Sequence, residues 1–257
     1  MAQIQCPLHK SLRNIVSSCI TLSLLLLMPT TALGDNNNNS DDPPPQTRGT
    51  SGGSRGCETQ TQVPLSNIPN LILLAPTQSY GQTLANNPTF AWFVKDNSSW
   101  QMEFRLYEYN EANKQSKLVK EIKDENFKSF PGIIVLSVPS LELAIGQKYL
   151  WQVELVCDAN RPSGNPFAIA AMKVISTPAI LKNQLSQNND VLTRANLYHQ
   201  ADLWYNTLEI ALTSKDDRNL KELRKSLLEE VVTETKAQSQ EQTTVALTNS
   251  KIYKLQR

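Results

Sequence analysis

Histidine is scarce in this sequence, and other hallmarks of common enzyme sites are missing as well. The 257 residues include two histidines, His9 near the start and His199 beside the apolar stripe of a helix-like segment. A hydrolytic triad needs a base that titrates near neutral pH, which is usually histidine. There is also no glycine-rich phosphate loop and no His/Cys spacing of a metal site. We therefore predict no catalytic residues, no metal and no cofactor, and an ordinary helix position for His199.

An excess of charge of one sign is absent too. The chain has 25 Lys and Arg against 24 Asp and Glu, and the basic residues are scattered. A nucleic-acid-binding surface needs a concentrated basic patch to meet the phosphate backbone. We therefore expect no nucleic-acid partner.

Long apolar runs are limited to one stretch near the start of the chain. The basic residues Lys10 and Arg13 precede the run Ile15–Met28, and small residues follow at 32 and 34. This order is typical of a secretory signal peptide over residues 1–34, cleaved between Gly34 and Asp35. The alternative is an uncleaved anchor, but the run of 14 residues is short of the ~18–20 needed to cross a bilayer.

The signal predicts an exported protein, periplasmic or extracellular, with no transmembrane segment in the mature chain. Of the four cysteines, Cys6 and Cys19 leave with the signal, and Cys57 and Cys157 remain. Two cysteines in an oxidising compartment usually form a disulfide, although two buried thiols are the alternative.

Composition and periodicity divide the mature chain into four segments. Residues 35–54 have no aliphatic side chain and predict a disordered polar linker. Residues 55–178 contain seven short apolar or alternating runs between turn residues, which predict an antiparallel β-sandwich of immunoglobulin or fibronectin type. The predicted strands are Leu71–Leu74, Thr89–Val94, Gln101–Tyr109, Lys117–Ile122, Ile133–Val138, Lys148–Cys157 and Phe167–Ile175.

The pattern changes to the helical period after Pro178. Two apolar stripes, the first from Leu192 to Leu212 and the second from Leu220 to Val231, predict a helical hairpin over residues 179–232. Residues 233–257 are polar and rich in Gln and Thr, which predicts a disordered tail.

Two places in the predicted sandwich are candidate binding sites. The first is the polar loop from 158 to 166, because loops on a rigid sandwich often bind ligands. Its candidate residues are Asp158, Asn160, Arg161 and Asn165, with a plain structural turn as the alternative. The second is the pair Tyr107 and Tyr109, which the alternation places on the outer face of a strand, where they would stack on sugars or a partner. The alternative is cross-strand packing or coverage by the helices.

Several short motifs together resemble one family. They are Arg55-Gly56-Cys57, Asn87-Pro88-Thr89-Phe90-Ala91-Trp92-Phe93, Pro131-Gly132-Ile133, Gly146-Gln147-Lys148-Tyr149-Leu150-Trp151, Leu155-Val156-Cys157-Asp158, Arg161-Pro162-Ser163 and Trp204-Tyr205. The chain resembles, from about Gly49 to Val232, the cyanobacterial secreted family catalogued as domain of unknown function 928. The resemblance implies no activity, but it supports the pairing of Cys57 with Cys157 and a periplasmic or extracellular location.

The sequence thus predicts a non-enzymatic module of the cell envelope that binds or scaffolds another protein. The alternative is a carbohydrate-binding module that uses the exposed tyrosines and the 158–166 loop. A fold by itself decides neither.

Overall fold

The computed structural model of the chain describes residues 47–50, 70–160, 162–214, 217–236 and 239–257. These residues all lie in one compact unit, Asp42–Arg257. The predicted signal peptide, most of the predicted linker, Cys57 and Arg161 lie outside the described residues. Within them, no helix is both long enough and apolar enough to cross a bilayer.

Nine strands and five helices make up the described fold. The strands are β1 Leu71–Leu73, β2 Gly81–Thr83, β3 Phe90–Val94, β4 Gln101–Asn110, β5 Gln115–Ile122, β6 Gly132–Ser137, β7 Lys148–Val156, β8 Phe167–Val174 and β9 Ile252–Gln256. The helices are α1 Ala179–Gln187, α2 Val191–Gln200, α3 Trp204–Thr213, α4 Arg218–Thr235 and α5 Gln240–Thr248. All seven predicted strands are confirmed to within two residues at each end, and β2 and β9 are additional.

The strands form two sheets that pack face to face. One has four strands in the order β1-β3-β6-β9, and the other has five in the order β2-β8-β7-β4-β5. Phe90 of the four-stranded sheet contacts Phe104 and Trp151 of the five-stranded sheet, with ring centroids 4.9 and 5.2 Å apart. Aromatic side chains that alternate along the strands therefore fill the space between the sheets.

The prediction of a purely antiparallel sandwich is wrong at two pairings. Strand β9 runs parallel to β6, and β2 runs parallel to β8. Parallel neighbours need a long connection, and here all five helices lie between β6 and β9 along the chain. Both sheets are therefore mixed, and an immunoglobulin-like strand order is not confirmed.

The predicted helical hairpin over residues 179–232 needs correction, because this range also contains α1 and the predicted first helix is the two helices α2 and α3. The break between α2 and α3 falls at Asp202, whose backbone is left-handed with φ 57°. The apolar stripe continues across the break, so a prediction from periodicity alone takes α2 and α3 as one helix. Helix α4 begins after Asp217, whose side chain accepts hydrogen bonds from the backbone N–H groups of Asn219 and Leu220.

Helices α3 and α4 contact the chain beside both edge strands of the four-stranded sheet, and α3 also packs against β2 of the five-stranded sheet. Trp204 Nε1, at the start of α3, donates to the carbonyl of Leu74 just after β1 (2.9 Å), while Lys254 of β9 donates to Thr213 O at the end of α3 (2.8 Å). Glu234, near the end of α4, returns to accept a hydrogen bond from Thr77 N (2.6 Å). Both faces of β3 are buried, and the buried side chains of α3 and α4 belong to the same hydrophobic core. The molecule therefore has three layers: helices, the four-stranded sheet, and the five-stranded sheet.

The prediction of a disordered tail from 233 to 257 is wrong for the described residues. Helix α4 continues to Thr235, α5 follows, and β9 pairs with β6 from Ile133 to Ser137. Gly132 makes this pairing possible. Its φ is +128°, and a Cβ there would lie 2.4 Å from Lys251 O, which accepts a hydrogen bond from Ile133 N.

The end of the predicted linker is also ordered, in residues 47–50. Gly49 O accepts a hydrogen bond from Leu73 N of β1 (2.7 Å), and Arg48 O accepts one from Ile169 N of β8 (2.9 Å). Backbone hydrogen bonds thus join this segment to β1, an edge strand of the four-stranded sheet, and to β8 of the five-stranded sheet. Composition cannot indicate such contacts.

Candidate functional site

The face of the five-stranded sheet that points away from the four-stranded sheet, called here the outer face, is our candidate site. The pairing registers place its side chains in four rows across β5, β4, β7 and β8. The glutamate row is Glu103, Glu154 and Phe167; the arginine row is Glu121, Arg105, Gln152 and Ile169; the tyrosine row is Leu118, Tyr107, Leu150 and Ala171; the lysine row is Ser116, Tyr109, Lys148 and Lys173.

Three carboxylates surround one guanidinium at the first end of this face. Arg105 pairs with Glu121 (3.0 Å), with Glu154 (3.1 Å) and, at closer range, with Glu103. Lys123 adds a contact to Glu121 at 3.3 Å. All four members of the central cluster are less than one-third exposed, so solvent screens these charges only in part.

The ion pairs shift the protonation equilibria of the cluster. Burial alone lowers the pKa of Arg105, but the hydrogen bonds to Glu121 and Glu154 outweigh it and the net shift is upward. The hydrogen bond from Arg105 lowers the pKa of Glu121, against a smaller opposing effect of burial. Arg105 and Glu121 are thus held in their charged forms, which suits an electrostatic surface and does not suit a general acid or base.

A second polar cluster lies at the opposite end of the face. Lys148 pairs with Glu111 and lies over the ring of Tyr80, 4.6 Å from its centroid. The hydroxyl of Tyr80 donates to Glu111 Oε1 at 2.7 Å. Burial raises the pKa of Glu111, but the hydrogen bonds from Lys148 and Tyr80 outweigh it, so its pKa is lowered. Lys173 lies beside Lys148 in the register and is half-buried.

Between the two clusters the face is mainly apolar. Leu118 is 49% exposed, Tyr107, Leu150 and Ile169 are half-buried, and Ala171 is buried. Phe167, which is 45% exposed, lies beside Glu154 at the end of the face. Large apolar side chains on a sheet face are usually covered by another layer. The exposure of Leu118 and Phe167 shows that no described element covers these parts of the face.

The two candidate tyrosines have different environments. Tyr107 lies in the centre of the outer face, where the alternation of β4 places it, and is half-buried. Tyr109 is only 7% exposed, next to Lys148 in the register. A flat platform of two exposed rings is therefore not formed, because the Tyr80–Glu111–Lys148 cluster occupies this end of the sheet.

The 158–166 loop is held by its own hydrogen bonds. Asn165 is buried, and its side-chain oxygen accepts from the backbone N–H groups of Cys157 (3.0 Å) and Asp158 (3.1 Å). Asp158 Oδ1 accepts from Asn160 N (2.9 Å), which closes a turn. These contacts match the structural turn that was the alternative for Asp158 and Asn165, whereas Asn160 is exposed. Arg161 lies outside the described residues.

The loop and the outer face are directly connected. Asn165 Nδ2 donates to Glu154 Oε1 at 2.9 Å, and Glu154 is one of the carboxylates around Arg105. The structure thus brings Asn165 and Tyr107 to the same sheet through residues that the sequence reasoning missed. The alternation of Glu103, Arg105 and Tyr107 in β4 indicated a shared face, but their partners on β5 and β7 required the register.

Three other features bear on the site predictions. Cys157 packs partly buried against the core, and Cys57 is outside the described residues, so their pairing stays a prediction. His199 is exposed in the last turn of α2. Within the part of the chain that the structure describes, no group of three or more His, Cys, Asp or Glu side chains has an arrangement that would hold a metal ion.

An open groove of about 600 Å³ also lies between α4 and α5. Its lining includes Lys225, Glu229 and Glu241 with Val245 and several hydroxyl or amide side chains. Lys225 and Glu229 are both about half exposed and 3.9 Å apart. Such surface pairs contribute little to binding or stability, and we assign no ligand to this groove.

Comparison with known proteins gives a family and little more. The family described as "Domain of Unknown Function (DUF928)" matches residues 50–242. No curated protein matches the chain. Among solved structures, a superoxide reductase (neelaredoxin) from Ignicoccus hospitalis is 14% identical, covers 41% of this chain and 79% of its own, and has a TM-score of 0.26. That likeness carries no argument about the fold or the function.

Proposed function

Since the chain belongs to the DUF928 family, whose description names no activity, we propose from its own surface that it is an exported, non-enzymatic module that binds a protein partner. The binding surface in this proposal is the outer face of the five-stranded sheet. The observation that carries it is the apolar centre of that face, with Leu118 49% exposed between two clusters of ion pairs.

The anatomy of this face supports a protein partner better than a sugar. Protein interfaces combine an apolar centre, often with Tyr and Arg, and a polar rim. Here Tyr107, Leu118 and Leu150 form the centre, and the charged clusters form the rim. A sugar-binding platform needs an exposed ring face, and the burial of Tyr109 removes half of the proposed pair.

The proposal of export rests on the signal-like order of residues 1–34, and it includes a disulfide between Cys57 and Cys157. The location of Cys157 at the end of β7 supports a bond that ties the start of the domain to a core strand. The mature protein is expected to begin at Asp35 and to yield a Cys57–Cys157 linked peptide without reduction. An intact leader, or two alkylated thiols, contradicts these two points.

The binding surface can be tested by photo-crosslinking in cells that export the protein. A benzophenone amino acid replaces Leu118 on the outer face or, as the matched control, Ile180 of α1, which is 76% exposed. We expect a protein adduct from position 118 and none of comparable yield from position 180. Adducts from neither position, or equally from both, contradict the proposed surface.

A second substitution separates the protein partner from the sugar alternative. Tyr107→Ala removes the aromatic centre of the face and is expected to lower the yield of the position-118 adduct severalfold. If no protein adduct forms, but the chain binds a glycan array and Tyr107→Ala abolishes that binding, the carbohydrate alternative replaces the proposal.

A further inference from the structure

The outer face has charges of opposite sign at its two ends. At the glutamate end, three carboxylates face Arg105 and Lys123, which leaves one net negative charge. At the lysine end, Lys148 pairs with Glu111 and Lys173 lies beside Lys148, which leaves one net positive charge. The apolar side chains lie between the two ends, so the face is polarised along the strand direction.

From this arrangement we propose that the partner of the outer face is a second copy of the same chain. This inference rests on the proposed function, because it names the partner of that surface. The twofold axis would lie in the plane of the interface, perpendicular to the strands, between the arginine and tyrosine rows. Rotation about it reverses the strand direction. It places the glutamate row of each copy over the lysine row of the other.

The same axis also matches the middle of the two faces. It brings Glu154 opposite Lys148 of the partner subunit, and Arg105 opposite Tyr107 of the partner subunit. A guanidinium over an aromatic ring is a favourable contact. An isologous interface requires such a self-complementary patch, and it closes at two copies.

Pairing through the edge strand β5 is less favourable than pairing through the face. An edge strand is protected from adding another strand when it carries lysines and a bulge. β5 carries Lys117 and Lys120, and its register against β4 shifts between Leu106 and Tyr107. We therefore infer packing of sheet on sheet, as in aligned sandwiches.

The size of the face predicts a weak dimer. Four strands spaced about 4.8 Å apart and a span of about 20 Å along β4 give about 400 Å² per copy. The two copies together bury about 800 Å², which is below the range of standard stable interfaces. We expect a dissociation constant of the order of tens of micromolar. The dimer should be tighter at lower ionic strength, because salt screens the charge pairs.

A charge-swap experiment on the exported chain tests the arrangement by sedimentation equilibrium. Glu154→Lys places a lysine opposite Lys148 of the partner subunit, and Lys148→Glu places a carboxylate opposite Glu154 of the partner subunit. Lys173 lies beside residue 148 in the register and can pair with the new carboxylate. Each variant alone is expected to associate at least tenfold more weakly than the natural chain. An equal mixture of the two restores complementary contacts at both ends and is expected to recover association to within about threefold.

The controls separate charge at this face from charge in general and from folding. Lys182→Glu makes the same change on α1, in the helical layer, and is expected to leave association unchanged. Glu103 is directly opposite residue 154 in the register and can pair with the new lysine, so Glu154→Lys is expected to fold. If its unfolding midpoint falls markedly, Glu103→Lys takes its place in the mixture.

Two results overturn the inference: a natural chain that remains monomeric at several hundred micromolar, or a mixture that associates no better than its components. The crosslinking experiment distinguishes this failure from failure of the proposed function. An adduct at position 118 with twice the mass of the chain supports the second copy. An adduct that contains a different protein leaves the proposed surface in place and contradicts the dimer.

Discussion

Gly132 is the residue on which the attachment of the C-terminal strand depends most directly. Its φ of +128° is unfavourable for any residue with a Cβ, and a Cβ would lie 2.4 Å from Lys251 O. We expect Gly132→Ala to destabilise the fold by about 2–4 kcal/mol, because two costs add: the strained backbone conformation of residue 132 and the displacement of β9. Urea unfolding measures this loss.

Gly146→Ala is the matched control for that prediction. Gly146 also has a positive φ, +85°, but a Cβ at this position would have no other atom within 4 Å. This substitution therefore isolates the conformational cost, about 1–2 kcal/mol. Equal losses for the two variants contradict a role of Gly132 in admitting β9.

Tyr205 connects the helical layer to the centre of the sandwich. Trp151 Nε1 donates to its buried hydroxyl at 2.7 Å, so Tyr205→Phe leaves the indole N–H without this acceptor. We expect a loss of about 1–3 kcal/mol. Tyr107→Phe is the control, since the structure gives no hydrogen bond to that hydroxyl among the described residues, and its effect is expected to stay within about 0.5 kcal/mol.

The effect of Tyr205→Phe is also expected to depend on pH. Burial raises the pKa of Tyr205, against the smaller opposing effect of the Trp151 hydrogen bond. The folded state therefore favours the neutral phenol. The stability that this provides is fully present below the unfolded pKa of about 10, and it is lost progressively as the pH rises above that value. The difference between the two proteins should shrink as unfolding is measured from pH 8 to 11, and a constant difference contradicts this linkage.

At the scale of elements, the hairpin between β4 and β5 contains a residue with an unfavourable backbone. Lys114 has φ 56°, next to a turn in which Asn113 Oδ1 accepts from Gln115 N. Lys114→Gly is expected to stabilise the fold by about 1 kcal/mol, because glycine adopts this conformation without a penalty. Lys117→Gly, inside β5, is expected to destabilise it by about 0.5–1 kcal/mol. A thermal shift of the same sign in both variants contradicts the argument.

Sequence periodicity predicts elements here better than it predicts their partners. The alternation in β4 and β7 is strong enough to identify both strands, and the buried side chains of β7 are those of the predicted face. β2 has only three residues, Gly81–Thr83, and β9 lies in a polar segment, so neither has a sufficient pattern. The pairing of β9 with β6 joins residues more than a hundred positions apart, which local sequence cannot specify.

The candidate site shows the same division between pattern and pairing. Tyr107 was identifiable because alternation places it opposite the core side chains of β4. The cluster around Arg105 was not, because Glu121 and Glu154 come from two other strands and meet only in register. Burial of Tyr109 was also hidden, since it depends on a lysine in β7 and on the distant Tyr80.

For the whole molecule, the helices and the sandwich form a single folding unit. The core combines side chains of both sheets with those of α3 and α4, and Tyr205 reaches the aromatic side chains between the sheets. The boundary predicted at 178 therefore separates sequence patterns and does not separate two independent domains. Cutting the chain at this boundary would also remove β9 from the edge of the four-stranded sheet.

A fragment that ends at Pro178 is therefore expected not to fold cooperatively. Loss of the helical layer exposes one face of β3 and β6, both of which are buried along their length apart from Ser137. Exposed apolar surface of this extent favours aggregation or a loosely packed state. Circular dichroism and urea unfolding of residues 47–178 should show no sharp transition, whereas residues 47–257 should show one.

Supplying the missing part separately distinguishes loss of the core from damage by truncation. Because the helical layer packs through apolar side chains, co-expressed residues 179–257 are expected to bind the fragment and restore a cooperative transition. A sharp transition of residues 47–178 alone would mean that the two sheets are stable without the helices. In that case the side chains of α3 and α4, including Tyr205, would contribute to the stability of a preformed sandwich without being required for its formation.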